Sequence, residues 1–211
     1  MIVILIITAV VFGVLGFVIG RKKQPWAENI GESSVRKHLL KTFPEIEYHL
    51  MNNITLPFKD GTTQIDHILV SRYGIFVIET KNYKGWIFGD ESSKTWTQVI
   101  FNLKFKFSNP IHQNSLHVRV ISELLDFIPK DLIHSLIVFT GDAKFKTSCP
   151  QGVVDLYGLP NYIRMYKEIV ITKNRMQFCV GRIESIRKII SRETDVEHQE
   201  YLIRKHNNKW N

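Results

Sequence analysis

Cysteine is scarce in this chain, and the two that occur do not form a recognisable pattern. Cys149 and Cys179 lack the spacing of metal ligands. Two cysteines also make a weak case for a disulfide, so we expect free buried thiols and a reducing compartment. Internal repeats and low-complexity tracts are absent as well. With 44% hydrophobic residues, the sequence indicates a globular protein that has one good core.

Charged side chains are missing from the first 20 residues. As a helix that rises about 1.5 Å per residue, this segment would span roughly 30 Å, the hydrocarbon thickness of a bilayer. Arg21, Lys22 and Lys23 follow at once, and positive residues remain on the cytoplasmic side. We therefore predict a single-pass anchor at residues 1–20, with its N-terminus outside. A cleaved signal peptide fits poorly, because no basic segment precedes the apolar run and no A-x-A site follows it.

The net charge of the chain is +8, and all of this excess lies after residue 20. A basic surface favours polyanions, either nucleic acid or anionic lipid headgroups. A lysine-rich surface that serves only solubility is an equally good interpretation of the charge alone.

Hydrophobic periodicity predicts a helix, a series of strands, a second helix and a further strand. The predicted helices are 29–42, 110–127, 159–168 and 173–191, and the predicted strands are 48–56, 64–71, 75–81, 83–88, 96–100, 132–140 and 153–156. Asn29 and Glu32 have capping-box spacing, and Pro110 suits a first helical turn. The inward stripe of the second helix is predicted at Leu116, Val120, Leu124 and Phe127. This order indicates a mixed α/β sheet covered by helices, followed by a polar tail that frays after residue 191.

The strongest functional signal is the predicted hairpin of residues 64–85, QIDHILVSRYGIFVIETKNYKG. Asp66 lies on its first strand, and Glu79 and Lys81 share one face at the end of its second. Two close carboxylates repel, and burial raises that cost. Mg²⁺ would relieve the repulsion, with the backbone carbonyl of Thr80 as a third oxygen ligand. Lys81 could then orient or activate an attacking water and stabilise charge on a phosphate.

Simpler structural interpretations compete with this site. Glu-x-Lys is a common exposed pair on strands, and Glu32 could serve only to cap its helix. Apolar residues flank Asp66, Glu79 and Lys81, however, and an idle charge in such surroundings would be costly. His67 is expected on the face opposite Asp66, where a packed, hydrogen-bonded histidine is favoured over a metal ligand.

Four sequence blocks between about residues 30 and 145 resemble the nuclease-related domain (NERD) family, a branch of the PD-(D/E)XK nuclease-like superfamily. The blocks are G-E-x-x-V at 31–35, T-Q-I-D-H at 63–67, G-I-F-V-I-E-T-K-N-Y-K-G at 74–85 and N-P-x-x-Q-N at 109–114. The resemblance maps the superfamily's D-(x)n-E-x-K pattern onto Asp66, Glu79 and Lys81, and its first-helix acid onto Glu32. Gln113 matches the family's glutamine, which implies a contact with the site or the nucleic-acid backbone; a helix-surface amide is the alternative. Ile65 stands where the superfamily's name has proline, at a variable position.

The resemblance implies a restriction-endonuclease-like core and nuclease chemistry that depends on Mg²⁺, with Mn²⁺ as a substitute. We therefore predict a membrane-anchored nuclease on the cytoplasmic side, with DNA favoured over RNA as substrate and a homodimer as a candidate assembly. The predicted organisation is an anchor at 1–20, a basic linker at 21–29, a nuclease-like domain at 30–145 and a helical extension at 146–211. Two alternatives stay open: a non-catalytic module that binds nucleic acid or protein, and a basic surface for anionic lipid.

Overall fold

A computed structural model describes residues 28–207. The helices are α1 (Ile30–Thr42), α2 (Pro110–Leu124), α3 (Leu159–Ile163), α4 (Lys173–Ile186) and α5 (Arg192–Asn207), with a short 3₁₀ turn at Lys130–Leu132. The strands are β1 (Tyr48–Phe58), β2 (Gly61–Ser71), β3 (Gly74–Asn82), β4 (Gly85–Phe88), β5 (Thr95–Ile100), β6 (Leu103–Ser108), β7 (Ile133–Thr140), β8 (Ala143–Phe145) and β9 (Val153–Asp155).

The anchor predicted at residues 1–20 and most of the basic linker lie outside the described residues. Within residues 28–207, every helix is too short or too polar to cross a membrane.

A mixed five-stranded sheet, in the order β1-β2-β3-β7-β9, forms the centre of the fold. The first three strands are antiparallel neighbours, and β7 returns parallel to β3 after α2. Helices α2 and α4 pack on one face of this sheet, and α1 and α3 pack on the other. Since β3 lies in the middle and is buried along most of its length, residues at its end are held between the two helical layers.

The alternation of side chains along β2 is broken beside Asp66. Ile65 and Ile68 are three residues apart, yet both lie in the same core cluster, whereas a regular strand would turn them to opposite faces. On the neighbouring strand, Asn53 has a left-handed φ of 50°, and the regular pairing skips it and Asp66 before it resumes on both sides. Asp66 therefore sits at a local distortion of the sheet rather than in an ordinary alternating position.

A second mixed sheet, in the order β6-β5-β4-β8, continues from the ends of β3 and β7. Only Tyr83 and Lys84 separate β3 from β4, and only Gly141 and Asp142 separate β7 from β8. Its inner face packs around the fully buried Trp96. The chain thus extends two strands of the large sheet into a small sheet at the same end where Glu79 and Lys81 lie.

Several predictions about individual elements were wrong or only partly right. The inward stripe predicted for α2 was partly right: Val120 is buried, and Leu124 and Phe127 pack half-buried against the core, but Leu116 lies outside the core clusters. The helix also turns Asn114, His117 and Ile121 inward. Strand β6 was missed altogether.

The tail after Ser191 is helix α5 rather than a frayed segment. This helix buries Asp195, His198 and Tyr201 although most of its sequence is polar. Both cysteines are free as predicted, but Cys149 is exposed and only Cys179 is buried.

Candidate active site

Asp66 and Thr80 connect β2 and β3 where their regular pairing stops. The β2–β3 ladder ends at the pair His67–Ile78. Beyond this pair, the backbone N–H of Thr80, two residues after Ile78, donates a 2.7 Å hydrogen bond to Oδ2 of Asp66, the residue before His67. The side chain of Asp66 thereby takes the place of a ladder partner, and its carboxylate is held beside the end of β3.

Glu79, immediately before Thr80, is 3% exposed and has a contact on each carboxylate oxygen. Its Oε1 accepts a 2.6 Å hydrogen bond from Nζ of Lys81, which is on the same side of β3. Its Oε2 lies 3.3 Å from Nε2 of His117 on α2. Lys81 also donates to Oε1 of Gln113, at 2.9 Å. Glu79, Lys81 and Gln113 therefore form a continuous polar chain from the sheet to the helix.

Helix α2 is fixed on the sheet by the two asparagines of the N-P-x-x-Q-N block. Asn109 caps the helix by accepting from the N–H of Ile111 at 2.9 Å, while its amide donates to the Ser93 carbonyl at 2.7 Å. Asn114 is fully buried, and its amide donates to the carbonyl of Val77 at 2.8 Å. These anchors set the rotation of the helix, and so determine which of its side chains reach the end of β3.

His117 is a member of the site that the sequence analysis missed. It follows Gln113 by four residues and so lies on the same face of α2. Its Nδ1 is 3.0 Å from the hydroxyl of Thr63. The His117 ring therefore lies between Thr63 of β2 and Glu79 of β3, with one ring nitrogen facing each of them. The i, i+4 spacing from Gln113 was the only signal in the sequence.

The N-terminus of α1 brings Glu32 to the site. The predicted capping box is confirmed: the N–H of Glu32 donates to Oδ1 of Asn29 at 3.0 Å, and the carboxylate of Glu32 accepts from the N–H of Asn29 at 3.3 Å. Gly31 allows the close approach, because a Cβ there would be 2.6 Å from Oγ1 of Thr140 and 2.8 Å from Cβ of Asn82. Glu32 thus caps its helix and also adds negative charge near Asp66.

The charges of the site are strongly coupled. Burial raises the pKa of Asp66 well above its ordinary value, and the charges of Glu79 and Glu32 raise it further. Burial alone would raise the pKa of Glu79 too, but the contacts with His117 and Lys81 outweigh it and hold that pKa below its usual range. Burial would lower the pKa of Lys81, yet Glu79 and Asp66 raise it overall. Glu79 and Lys81 therefore form an ion pair, and Asp66 binds a proton more readily than Glu79 does.

The donor set fits a hard divalent cation. Oε2 of Glu79 is buried and has no partner of hydrogen-bonding geometry, and the ionised form of Asp66 is destabilised by its surroundings. A bound cation would give Oε2 of Glu79 a partner and would stabilise the ionised form of Asp66. Among residues 28–207, no three His, Cys, Asp or Glu side chains are grouped to hold a metal. A site here would thus combine two carboxylates with backbone oxygen and water, a combination that Mg²⁺ accepts.

The structure brings most of the predicted site residues together. Asp66, Glu79, Lys81 and Gln113 are linked by the contacts described above, and Glu32 acts on Asp66 through its charge. His67 is separate, and its prediction as a packed histidine is confirmed. It is buried, and its Nδ1 lies 2.8 Å from Oδ1 of Asn52.

The site thus brings Asp66 of β2 to Glu79 and Lys81 at the end of β3. A family model described as the nuclease-related domain matches residues 27–140, which is more than half of the chain. The chain therefore belongs to the nuclease-related domain family, and the resemblance found in the sequence is confirmed. This membership is consistent with the PD-(D/E)XK nuclease-like superfamily.

An uncharacterized protein of Bacillus anthracis is similar along nearly the whole chain. The two are 33% identical over 199 residues, which cover 89% of this chain and 89% of that protein. No solved structure matches the chain.

Proposed function

We propose that this protein is a metal-dependent nuclease that hydrolyses phosphodiester bonds of DNA, with RNA as the second candidate, on a restriction-endonuclease-like core. The observation that carries the proposal is the convergence of Asp66, Glu79 and Lys81 at the end of β3. Nζ of Lys81 is 2.6 Å from Glu79, and Asp66 is hydrogen-bonded to Thr80, the residue between them. Two carboxylates held close together away from water repel each other, which costs free energy. A bound divalent cation would remove this repulsion and would also supply catalytic charge.

In this proposal Asp66, Glu79 and the carbonyl of Thr80 hold Mg²⁺, and Mn²⁺ suits the same oxygen ligands. When bound, the ion would lower the pKa of a coordinated water and neutralise charge on the phosphate. Glu32 assists by adding a third carboxylate near Asp66.

Lys81 acts on the reacting groups as a cation. Its raised pKa keeps the ammonium charged at neutral pH, so it serves as a hydrogen-bond donor rather than as a base. An ammonium has three N–H donors, and two of them are directed at Glu79 and Gln113. The third can orient the attacking water or stabilise the phosphate oxygens in the transition state. Gln113 positions this group by fixing Nζ.

We also propose that the nuclease is held at the membrane, with its catalytic domain in the cytoplasm. This part of the proposal rests on the uncharged segment 1–20 and on the positive charge of Arg21, Lys22 and Lys23.

The test is cleavage by the full-length protein, purified in a mild non-ionic detergent. Single-stranded, duplex and circular DNA and single-stranded RNA are each incubated with Mg²⁺, Mn²⁺ or EDTA. We expect cleavage of at least one substrate with either metal, and none in EDTA. Tight binding without cleavage of any substrate would instead support the non-catalytic binding module.

A further inference from the structure

The outer face of the small sheet carries an aromatic side chain in a row with basic ones. Trp86 on β4 pairs with Val99 on β5 and with Lys144 on β8, and Val99 pairs in turn with Lys104 on β6. These four residues form one row across the sheet, because directly paired residues point to the same face. Adjacent strands are about 4.8 Å apart, which puts Lys144 about 5 Å and Lys104 about 10 Å from Trp86 along this row.

Trp86 is unusually open for its size. It is 49% exposed, whereas Trp96 on the neighbouring strand is fully buried on the inner face. The ammonium of Lys146 lies 4.7 Å from the centroid of the Trp86 ring, a cation–π contact. The indole thus offers a π-surface at a position where the fold needs no buried side chain.

The strands of this face carry positive charge only. Strands β4, β5, β6 and β8 contain no aspartate or glutamate. Exposed lysines on or next to these strands include Lys104, Lys106, Lys144 and Lys146. A flat aromatic ring surrounded by cations is complementary to an unpaired base with its phosphates.

We propose that this face, formed by Trp86 and these four lysines, binds single-stranded nucleic acid: a base stacks on Trp86 and the lysines contact its phosphates. The choice of nucleic acid as the ligand of this face rests on the proposed nuclease function. A single strand is favoured over a duplex, because the bases of a duplex are already stacked on one another. The face also lies near the site, since five residues from Lys81 to Trp86 can span at most about 18 Å.

The experiment measures binding of fluorescent 12-nucleotide DNA and RNA to the full-length protein in detergent. EDTA is present, so metal-dependent cleavage does not occur and the readout is binding alone. We expect Trp86→Ala to raise the Kd about 5- to 150-fold, since stacking on an aromatic side chain contributes about 1–3 kcal/mol per base. Trp86→Phe should restore most of the affinity. Lys104→Gln/Lys106→Gln should reduce the slope of log K against log salt by about 1.4, or about 0.7 per lost phosphate contact.

Matched controls come from other exposed positions. Tyr157→Ala removes an aromatic ring that is 82% exposed, and Lys37→Gln/Lys41→Gln removes two exposed charges on α1. Both variants should bind as the wild type does. If Trp86→Ala binds like Tyr157→Ala, the inference is wrong.

Two further outcomes separate this inference from its alternatives. If the Trp86 and lysine variants keep oligonucleotide affinity but bind soluble short-chain phosphatidylserine more weakly than the wild type in the same detergent, the face is a lipid surface and the inference is overturned. If the wild type cuts no substrate but Trp86→Ala still loses affinity, the nuclease proposal fails while the binding face stands. Comparison of the DNA and RNA affinities identifies which nucleic acid the face prefers.

Discussion

The carboxylate of Asp66 accepts the backbone N–H of Thr80 at 2.7 Å, while burial and the charges of Glu79 and Glu32 raise its pKa. A carboxyl whose pKa is higher in the folded than in the unfolded state stabilises the fold at low pH, and this contribution is lost as the pH rises. Asp66→Asn keeps an acceptor for Thr80 and removes the charge. We therefore expect this variant to be more stable than the wild type in EDTA at pH 7, with a smaller difference at pH 4, as measured by urea unfolding. A less stable variant at pH 7 would contradict the assigned electrostatics.

The same variant tests the metal ligands. Mg²⁺ at ten times its Kd should raise the unfolding free energy of the wild type by about 1.4 kcal/mol, because a ligand that binds only the folded state stabilises it. Asp66→Asn should lose this increase and most of the heat of Mg²⁺ binding in titration calorimetry. Wild-type affinity in the variant would show that Asp66 is not a ligand.

His67 should make the fold sensitive to acid. Burial lowers the pKa of His67 from 6.5 to about 4. Nε2 of its ring has no hydrogen-bond partner that would stabilise the protonated imidazolium. Its contribution to stability is present above pH 6.5 and is lost as the pH falls towards 4. The loss approaches about 3 kcal/mol, since one pKa unit corresponds to about 1.36 kcal/mol. Urea unfolding of the wild type and of His67→Gln across this range should show a steeper decline for the wild type. Parallel curves would disprove the assignment.

Two glycine substitutions should have opposite effects. Gly31→Ala forces a Cβ against Thr140 and Asn82, and such overpacking costs about 1–3 kcal/mol. A Cβ at Gly181 in α4 would meet no atom within 4 Å beyond the local backbone of its own helix, so Gly181→Ala should gain about 0.5–1 kcal/mol from helix propensity. Urea midpoints of both variants measure this difference. A neutral Gly31→Ala would mean that α1 does not pack tightly against the ends of β3 and β7.

Local rules explain what the sequence predicted well. The Asn29–Glu32 capping box and Pro110 in the first turn of α2 depend on residues within one turn of each other, and both are present. The shared side of Glu79 and Lys81 follows from strand alternation alone. Asp66 next to Thr80 needed only a short hairpin to bring two neighbouring strands together.

Long-range polar burial explains what it did not predict. Asn114 and His117 are buried because they bond to the sheet, so a search for apolar stripes passes over them. The same kind of burial explains why helix α5 was not predicted. His198 lies 2.9 Å from the hydroxyl of Thr62, and Gln64 donates to Asp195 at 3.3 Å. Contacts between residues more than 130 positions apart leave no local pattern. Strand β6 was missed although its lysines alternate with apolar residues, which is a strand signal. Every residue of this edge strand except Phe107 is exposed, so burial of the strand contributes little to its pattern.

Nuclease activity of the wild type and of Lys81→Ala, measured side by side with Mg²⁺, tests the central claim most directly. Loss of a charged group that stabilises a transition state typically slows the reaction about 10²–10³-fold, so cleavage should fall by that factor while oligonucleotide binding in EDTA is unchanged. Lys167→Ala, an exposed lysine outside the site, should cut at the wild-type rate. Equal cleavage rates for the wild type and Lys81→Ala would contradict the assignment of the nuclease site to Asp66, Glu79 and Lys81.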